Sequence, residues 1–389
     1  MERKKVAILL PWLKMGGTNK VALRFIRQLS EYCDVTLILS QETGELFDEV
    51  PKNVKVLIDH MRSFQDLFRD DLKHFSVRFL WRDFLYYFQI KTGRDSIDNY
   101  YYLVSRQSLV VNDRFDCAVS YHGQSPERLL NLLYRVKSRK KVAWIHGAIG
   151  FSENQLRRMN KYYQKLDHFF FVSSPTRDIF RKHISIPLDK TTVYYNPLDK
   201  DEILRQAELS VDCPYPEHVI KILTVGRLSE EKGQDMIPAI VKDLSSRGYE
   251  VCWYIIGDGD KKKDLEEIIR SNHVERQVKL LGTKINPYSY MKACDLYVQP
   301  SYSEGYSTTI CEAGTLGKAI IGTKPSGGIR DQISDGVDGM IVDASVQAIT
   351  EAIQELIDHP SLKKQFEQNI LKKDFEGKGE LKKFLKILE

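Results

Sequence analysis

The feature that most constrains this chain is a pattern it begins twice. Val6 to Leu10 is a short apolar run, followed by the loop Pro11 to Thr18 with Gly16-Gly17, a helical periodicity from Asn19 to Tyr32 and a second apolar run, Val35 to Leu39. The same order returns as Val219 to Val225, the loop Gly226 to Gly233, a helix near Asp235 to Arg247 and Val251 to Ile256. Short, continuously apolar strands are buried on both faces, and amphipathic helices alternating with them predict a doubly wound parallel sheet. Two starts predict two such sheets, an α/β protein of two Rossmann-like domains facing a central cleft. Ligands of such sheets bind beyond the carboxyl ends of the strands, so the cleft is the expected site.

The length, 389 residues, agrees, because it exceeds what one hydrophobic core usually holds. Further strands are read at Cys117 to Ser120, Val142 to Ile145, Phe169 to Val172 and Thr192 to Tyr195, then at Val278 to Leu281, Leu296 to Gln299, Ala319 to Thr323 and Gly339 to Val342. A polar stretch marked by Pro197, Pro214 and Pro216 suits a linker. The expected organisation is a first domain over 1–197, a linker over 198–218, a second domain over 219–365 and a helical segment, 366–389, that could return to the first domain.

Charge is informative once divided. Residues 1–200 carry 33 Lys and Arg against 22 Asp and Glu, a net +11, whereas 201–389 carry 25 against 31, a net −6. A basic half suits an anionic partner, such as an acidic lipid leaflet or a phosphorylated substrate, although solvated faces also differ by chance. Between 72 and 110, Phe75, Phe79, Trp81, Phe84, Tyr86, Tyr87 and Phe88 are interleaved with Lys73, Arg78 and Arg82. Such a stripe either packs on its own domain, the commoner case, or lies on a membrane surface. No apolar run approaches the roughly 20 residues of a bilayer span, and the five residues before Pro11 are too few for a secretory core. A cytoplasmic protein is expected, with the inner face of the plasma membrane as an option for peripheral contact. The six cysteines lie far apart, so reduced thiols are expected.

The segment richest in chemistry runs from Pro300 to Ala313: after a strand it turns at Gly305 and continues as a helix. Amides of Tyr306 to Thr308 at that helix start would favour a phosphate through hydrogen bonds and the helix dipole. Glu304 and Glu312 are eight residues apart, roughly 12 Å at the helical rise, so they could serve the two ends of an extended ligand. On its own, such a pair is usually a solvated face and a cap. Arg227 and Lys232, beyond the first strand of the second half, combine a planar fork with a point charge and suit a diphosphate. Gly257-Asp258-Gly259 and Ser326-Gly327-Gly328 end later strands as tight turns would.

Taken in order, Gly226-Arg227 with Lys232-Gly233, Ile255 to Gly259, Val278 to Gly282, Cys294 to Ser301, Glu304 to Glu312, Gly327-Gly328 and Asp335 to Gly339 resemble the retaining glycosyltransferases of family 4, which have the GT-B fold. The resemblance is close over about 219–345 and looser in the first half, through Gly16-Gly17 and the strand ending at His146. It implies transfer of a sugar from a nucleotide-diphosphate sugar to a glycan or a polyprenyl-diphosphate-linked acceptor, as in bacterial surface-polysaccharide synthesis. It also implies roles for particular residues. Arg227 and Lys232 would neutralise the diphosphate, Glu304 would contact the donor sugar and Glu312 the ribose. Backbone at Gly305, Tyr306, Ser307 and Thr308 would meet the diphosphate, and Thr283 and Lys284 would lie by the base. Gly16 and Gly17 would approach the phosphates and acceptor. His146 would be the active-site histidine, with His122 as its competitor.

Ser307 and Thr308 depart from the glycine and apolar residue usual there, and Arg330-Asp331 stand where Pro-Glu is common, which leaves the sugar open. Rival readings are a nucleotide-sugar 2-epimerase on the same fold and a non-catalytic nucleotide-sugar-binding module. Asp258-Gly259-Asp260 has the form of an Asp-x-Asp metal motif. The neighbouring Arg227, Lys232 and Lys261 to Lys263 oppose a cation there, so metal-independent chemistry is expected, with no cofactor besides the donor and no nucleic-acid partner.

Overall fold

The computed structural model describes residues 2–14, 16–42, 44–59, 64–73, 101, 103–107, 110, 112–147, 153–324 and 327–389. Arg78, Arg82 and the rings from Phe75 to Phe88 fall outside these residues, as does Ser326. The chain forms two compact units, one of residues 1–172, 176–194 and 379–389, the other of 173–175 and 195–378.

Among the described residues the first unit holds seven parallel strands: β1 (Lys5–Leu10), β2 (Asp34–Leu39), β3 (Lys55–Ile58), β4 (Arg114–Ser120), β5 (Lys137–Ile145), β6 (His168–Phe171) and β7 (Thr191–Val193). Their order is β3-β2-β1-β4-β5-β6-β7, with Val6 opposite Val35 on one side of β1 and Ile8 opposite Val119 on the other. Winding changes direction between β1 and β4, which leaves a crevice at their carboxyl ends.

Alternate residues of these strands feed two cores. Ala7, Leu9, Ala118, Ala143, Ile145, Phe169 and Phe171 pack with Leu129 and Leu130 of helix Pro126–Arg135 and with Met159 and Tyr163 of helix Glu153–Tyr163. The opposite face is aromatic. Phe25, from helix Gly17–Leu29, lies 4.9 Å from the Trp144 ring and 5.0 Å from Phe384 of helix Glu380–Leu388, and Phe384 lies 5.6 Å from Phe170. Lys140 Nζ also donates to the Ile387 carbonyl at 2.5 Å, so the last residues of the chain complete the first unit. Among the described residues of this unit a charged pair is sunk: Arg135 reaches both oxygens of Asp59, at 2.5 and 2.7 Å, and both residues are buried. The two-pronged geometry offsets the cost of taking both charges from water.

The second unit holds, among the described residues, β8 (Ile220–Val225), β9 (Val251–Ile256), β10 (Val278–Leu280), β11 (Leu296–Gln299), β12 (Ala319–Thr323) and β13 (Met340–Val342), in the order β10-β9-β8-β11-β12-β13. All of β9 is buried: Val251, Trp253 and Ile255 enter one core, while Cys252, Tyr254 and Ile256 enter another with Tyr290, Tyr297 and Cys311. Here the winding changes direction between β8 and β11.

The stretch read as a linker carries local structure of its own. Residues 200–207 form helix Lys200–Ala207 within the second unit, capped by Asp199, whose Oδ1 accepts from Glu202 N–H at 3.0 Å. Only Ile203 and Ala207 of that helix are buried, so its sequence is dominated by its wet face. All six cysteines are free thiols, five of them buried. Among the described residues, no helix is long and apolar enough to cross a membrane.

Candidate functional site

In the second unit the switch point gathers most of the residues singled out in the sequence. β8 ends at Val225 and delivers Arg227 and Lys232, while β11 ends at Gln299 and delivers Ser301 and Glu304. The β8 loop closes through Gly233, whose φ of 64° is left-handed and whose position leaves no room for a side chain, since a Cβ would meet the Pro300 carbonyl at 2.2 Å. That close approach draws the Lys232 loop against the β11 loop.

Lys232 Nζ lies 2.5 Å from Glu304 Oε2, with side-chain exposures of 18% and 13%. Behind the carboxylate, Ser301 Oγ donates to Glu304 Oε2 at 3.4 Å, Gln299 Nε2 donates to Ser301 Oγ at 2.9 Å and Tyr297 OH donates to Gln299 Oε1 at 2.9 Å. Gln299, Ser301 and Tyr297 are buried, so Glu304 stands at the end of a polar chain anchored in the core. A polar network of this kind is stabilising only when its members are paired, and pairing fixes their rotamers. Gln299 and Ser301 were visible in the sequence as polar residues at a strand end. Nothing in their spacing announced this supporting role.

Arg227 is different. Its side chain is 70% exposed, and its guanidinium meets Glu231 Oε1 at 3.1 Å. Burial tends to raise the Glu231 carboxyl, but Ser229 Oγ at 2.7 Å, the local backbone, Arg227 and Lys232 outweigh it and hold the group below the usual range. An exposed ion pair contributes about 0–1 kcal/mol, so the guanidinium can swing to another anion at little cost.

Helix Thr308–Thr315 begins beyond Glu304 and carries Glu312 on its buried side, where Tyr288 OH donates to Glu312 Oε1 at 3.1 Å. Ser307, at its N-cap, is not free as the sequence suggested: its N–H donates to Gln332 Oε1 at 3.2 Å. Gly305 is held from the side, for a Cβ on Gly328 would stand 1.9 Å from the Gly305 carbonyl oxygen. Tyr306 packs on Tyr195, ring centroids 5.5 Å apart, and burial pushes its phenol well above the ordinary range. Thr308 is half-buried at the first helical position.

Thr283 is exposed, whereas Lys284 is tied down: its Nζ lies 2.5 Å from Asp212 Oδ2, and Tyr290 OH donates to the same carboxylate. Asp258 closes its own turn, accepting from Gly259 N–H at 2.8 Å, and Asp260 is exposed beside it. Among the described residues, no group of three or more His, Cys, Asp or Glu side chains is arranged to hold a metal.

The first unit brings its own candidates to its switch point. Gly16 lies in open space before helix Gly17–Leu29, and its carbonyl accepts from Lys20 N–H at 3.0 Å. His122 follows β4 and His146 follows β5, their ring centroids 5.6 Å apart. Burial pulls His122 down to about 4, helped by Arg128. Burial likewise takes His146 well below the ordinary histidine range, aided by His122 and opposed by a hydrogen bond to the Tyr121 backbone. Both imidazoles are neutral at pH 7, and His146 Nε2 is buried with no hydrogen-bond partner among the described residues.

Two parallel-sheet units with charged groups at the second switch point define a class, and comparison with known proteins gives the same one. A family model described as glycosyltransferase family 4 matches residues 15–202, and one described as glycosyl transferases group 1 matches residues 207–373. The chain is similar to 2-deoxystreptamine N-acetyl-D-glucosaminyltransferase of Niallia circulans, 25% identical over 76% of this chain and 80% of that one. It is also similar to N-acetylgalactosamine-N,N'-diacetylbacillosaminyl-diphospho-undecaprenol 4-alpha-N-acetylgalactosaminyltransferase of Campylobacter jejuni, 25% identical over 52% of this chain and 54% of that one. Matches to curated relatives span from about a third to four fifths of the relatives' lengths. In fold it resembles Anabaena Alr3699/HepE in complex with UDP, with a TM-score of 0.70 and 17% identity over 99% of both chains. The two family models together match most of the chain and both describe glycosyltransferases, and the fold is that of the GT-B class.

Proposed function

We propose that the chain moves a sugar from a nucleotide-diphosphate sugar to a glycan or polyprenyl-diphosphate-linked acceptor, with retention at the anomeric carbon, in the building of a cell-surface polysaccharide. The observation that carries the donor part is the Lys232–Glu304 pair at the carboxyl edge of β8 and β11. An ammonium has three N–H donors. Lys232 can therefore keep Glu304 while offering the others to a phosphate, and Glu304 keeps an oxygen for sugar hydroxyls. Negative charge builds on the departing diphosphate as the sugar leaves, and a cation already held in place stabilises it without reorganisation. Arg227, loosely held, folds onto the same phosphates, and Glu312 takes the ribose.

On the first unit, Gly16, Gly17 and a neutral His146 are assigned to the acceptor side, where an uncharged imidazole can accept a hydrogen bond. Support for the donor class comes from HepE, crystallised with UDP and with UDP-glucose, and for the acceptor class from the Campylobacter relative, whose name contains a diphospho-undecaprenol. Neutralisation by protein cations is the basis for proposing metal-independent transfer. A peripheral position on the inner leaflet suits the basic first half and a lipid-linked acceptor.

The experiment is a screen of nucleotide sugars with and without lipid-linked and soluble acceptors, detecting released nucleotide. Acceptor-dependent release is expected. Conversion of the donor sugar to an epimer without acceptor, at rates matching turnover, would replace transfer by epimerisation, and tight donor binding without turnover on any acceptor would leave a binding module.

A further inference from the structure

Gln332 is fully buried at the end of the short helix Ile329–Gln332. Its side-chain amide meets the backbone of Ser307 in both directions: Oε1 accepts from Ser307 N–H at 3.2 Å and Nε2 donates to the Ser307 carbonyl at 2.6 Å. Nε2 also lies 2.9 Å from Cys311 Sγ, one turn into the next helix. The Gln332 carbonyl in turn accepts from Lys373 Nζ at 2.8 Å, and Lys373 pairs with the buried Asp338 at 2.8 Å. Nearer Glu304, Gly328 N–H donates to the Glu304 carbonyl at 3.3 Å.

Ser307 is where the loop that carries Glu304 becomes the helix that carries Glu312. A side chain that copies a strand partner at that residue fixes the loop against the helix start, so the two glutamates keep one spacing. We infer that Gln332 is a positioning residue for sugar transfer, holding Glu304 and the start of helix Thr308–Thr315 in register. It touches neither donor nor acceptor. Losing the buried amide leaves Ser307 N–H without its partner and the Ser307 carbonyl with only the longer bond from Cys311 N–H, at 3.4 Å, and the loop then shifts to satisfy them.

This inference rests on the donor assignment proposed above and makes a separable prediction. If Gln332 sets the register, its loss should spare the nucleoside diphosphate, whose partners sit on the helix and the β8 loop. It should damage the step in which Glu304 must meet the sugar while the diphosphate departs. UDP and GDP are titrated into the parent protein, and the tighter of the two becomes the binding probe. Gln332→Met removes the amide at nearly constant length, and Gln332→Asn withdraws it by one methylene. Thr350→Val removes a buried hydroxyl that bonds the Val346 carbonyl on helix Val346–Asp358, away from the site, and serves as the destabilised control.

Both Gln332 variants should lose tenfold or more in kcat while the probe's Kd stays within threefold of the parent, and Thr350→Val should keep the parental kcat. A kcat within twofold of the parent in either folded Gln332 variant would overturn the inference, as would equal losses in kcat and probe affinity. A parent that binds neither UDP nor GDP and turns over no nucleotide sugar would remove the donor assignment itself, and this inference with it.

Discussion

The two units place their candidate residues at the same topological position and furnish it with opposite chemistry. At the switch point of the second sheet stand charges, a half-buried Lys232–Glu304 pair and an exposed Arg227. At that of the first stand two neutral histidines and open glycine backbone, over a core of packed aromatic rings. A parallel sheet supplies only a place, the crevice beyond its strands, and the loops decide what binds there. Fixed charge suits a ligand that arrives or leaves charged. A neutral imidazole in a desolvated spot suits an uncharged hydroxyl.

Removing the ring that ties the chain's last helix to the first unit sharpens the contrast most. Phe384→Ala should destabilise that unit by about 3–5 kcal/mol, the usual cost of emptying a buried phenylalanine site, with the nucleotide affinity of the folded protein unchanged. Calorimetry and a nucleotide titration check it, and a parental melt would show that the helix contributes little.

Next in size, Glu304→Ala should cost about two orders of magnitude in turnover, since losing one preorganised charge-stabilising contact is worth about 3–4 kcal/mol. His122→Ala should cost much less. Equal losses would erase the distinction between the charged and neutral ends.

Acid should act on the first unit. Burial holds His122 near 4 and His146 well below the ordinary histidine value of about 6.5, so above pH 6.5 neither group contributes a pH dependence. As pH falls below 6.5 the unfolded chain takes up protons that the folded one refuses. Stability then drops by on the order of 1 kcal/mol per pH unit for each group, until the folded pKa is reached. His122→Gln should flatten part of that slope between pH 6 and 4.5, and an unchanged slope would mean the imidazole is not buried neutral.

The smallest effect is expected from metal. Asp258 is committed to its own turn and Asp260 is exposed, so chelator and Asp260→Asn should each change the rate by less than twofold. Abolition by chelator, with rescue by manganese or magnesium, would reverse that expectation.

Much of the fold was legible because buried parallel strands are apolar at nearly every residue: Val251 to Ile256, Leu296 to Gln299 and Ala319 to Thr323 are strands with the bounds their sequences suggest. β3 was missed because it is a four-residue edge strand, Lys55–Ile58, with no fully buried residue. The first half of β5 was missed because Lys137 to Lys141 look like a solvated run. Lys141 in fact reaches the Leu132 and Val136 carbonyls at the end of helix Pro126–Arg135, each at 2.7 Å. At the site, charged residues next to glycines were legible as such, whereas the supporting roles of Gln299, Ser301 and Gln332 were not. Their contribution is a hydrogen bond to a segment distant in sequence, and no local pattern encodes that. Lys284 shows the same blindness in reverse, since its partner Asp212 lies far back in the chain.

The most direct measurement compares UDP and GDP affinity, titrated at two salt concentrations, for the parent and for Lys232→Ala. If the half-buried ammonium is the fixed counter-charge of the donor diphosphate, the better nucleotide should bind Lys232→Ala at least tenfold more weakly, with a shallower salt dependence, while the melting transition stays close to that of the parent. Equal affinity and equal salt dependence in the two proteins, with both folded, would contradict a diphosphate site at the β8 and β11 edge.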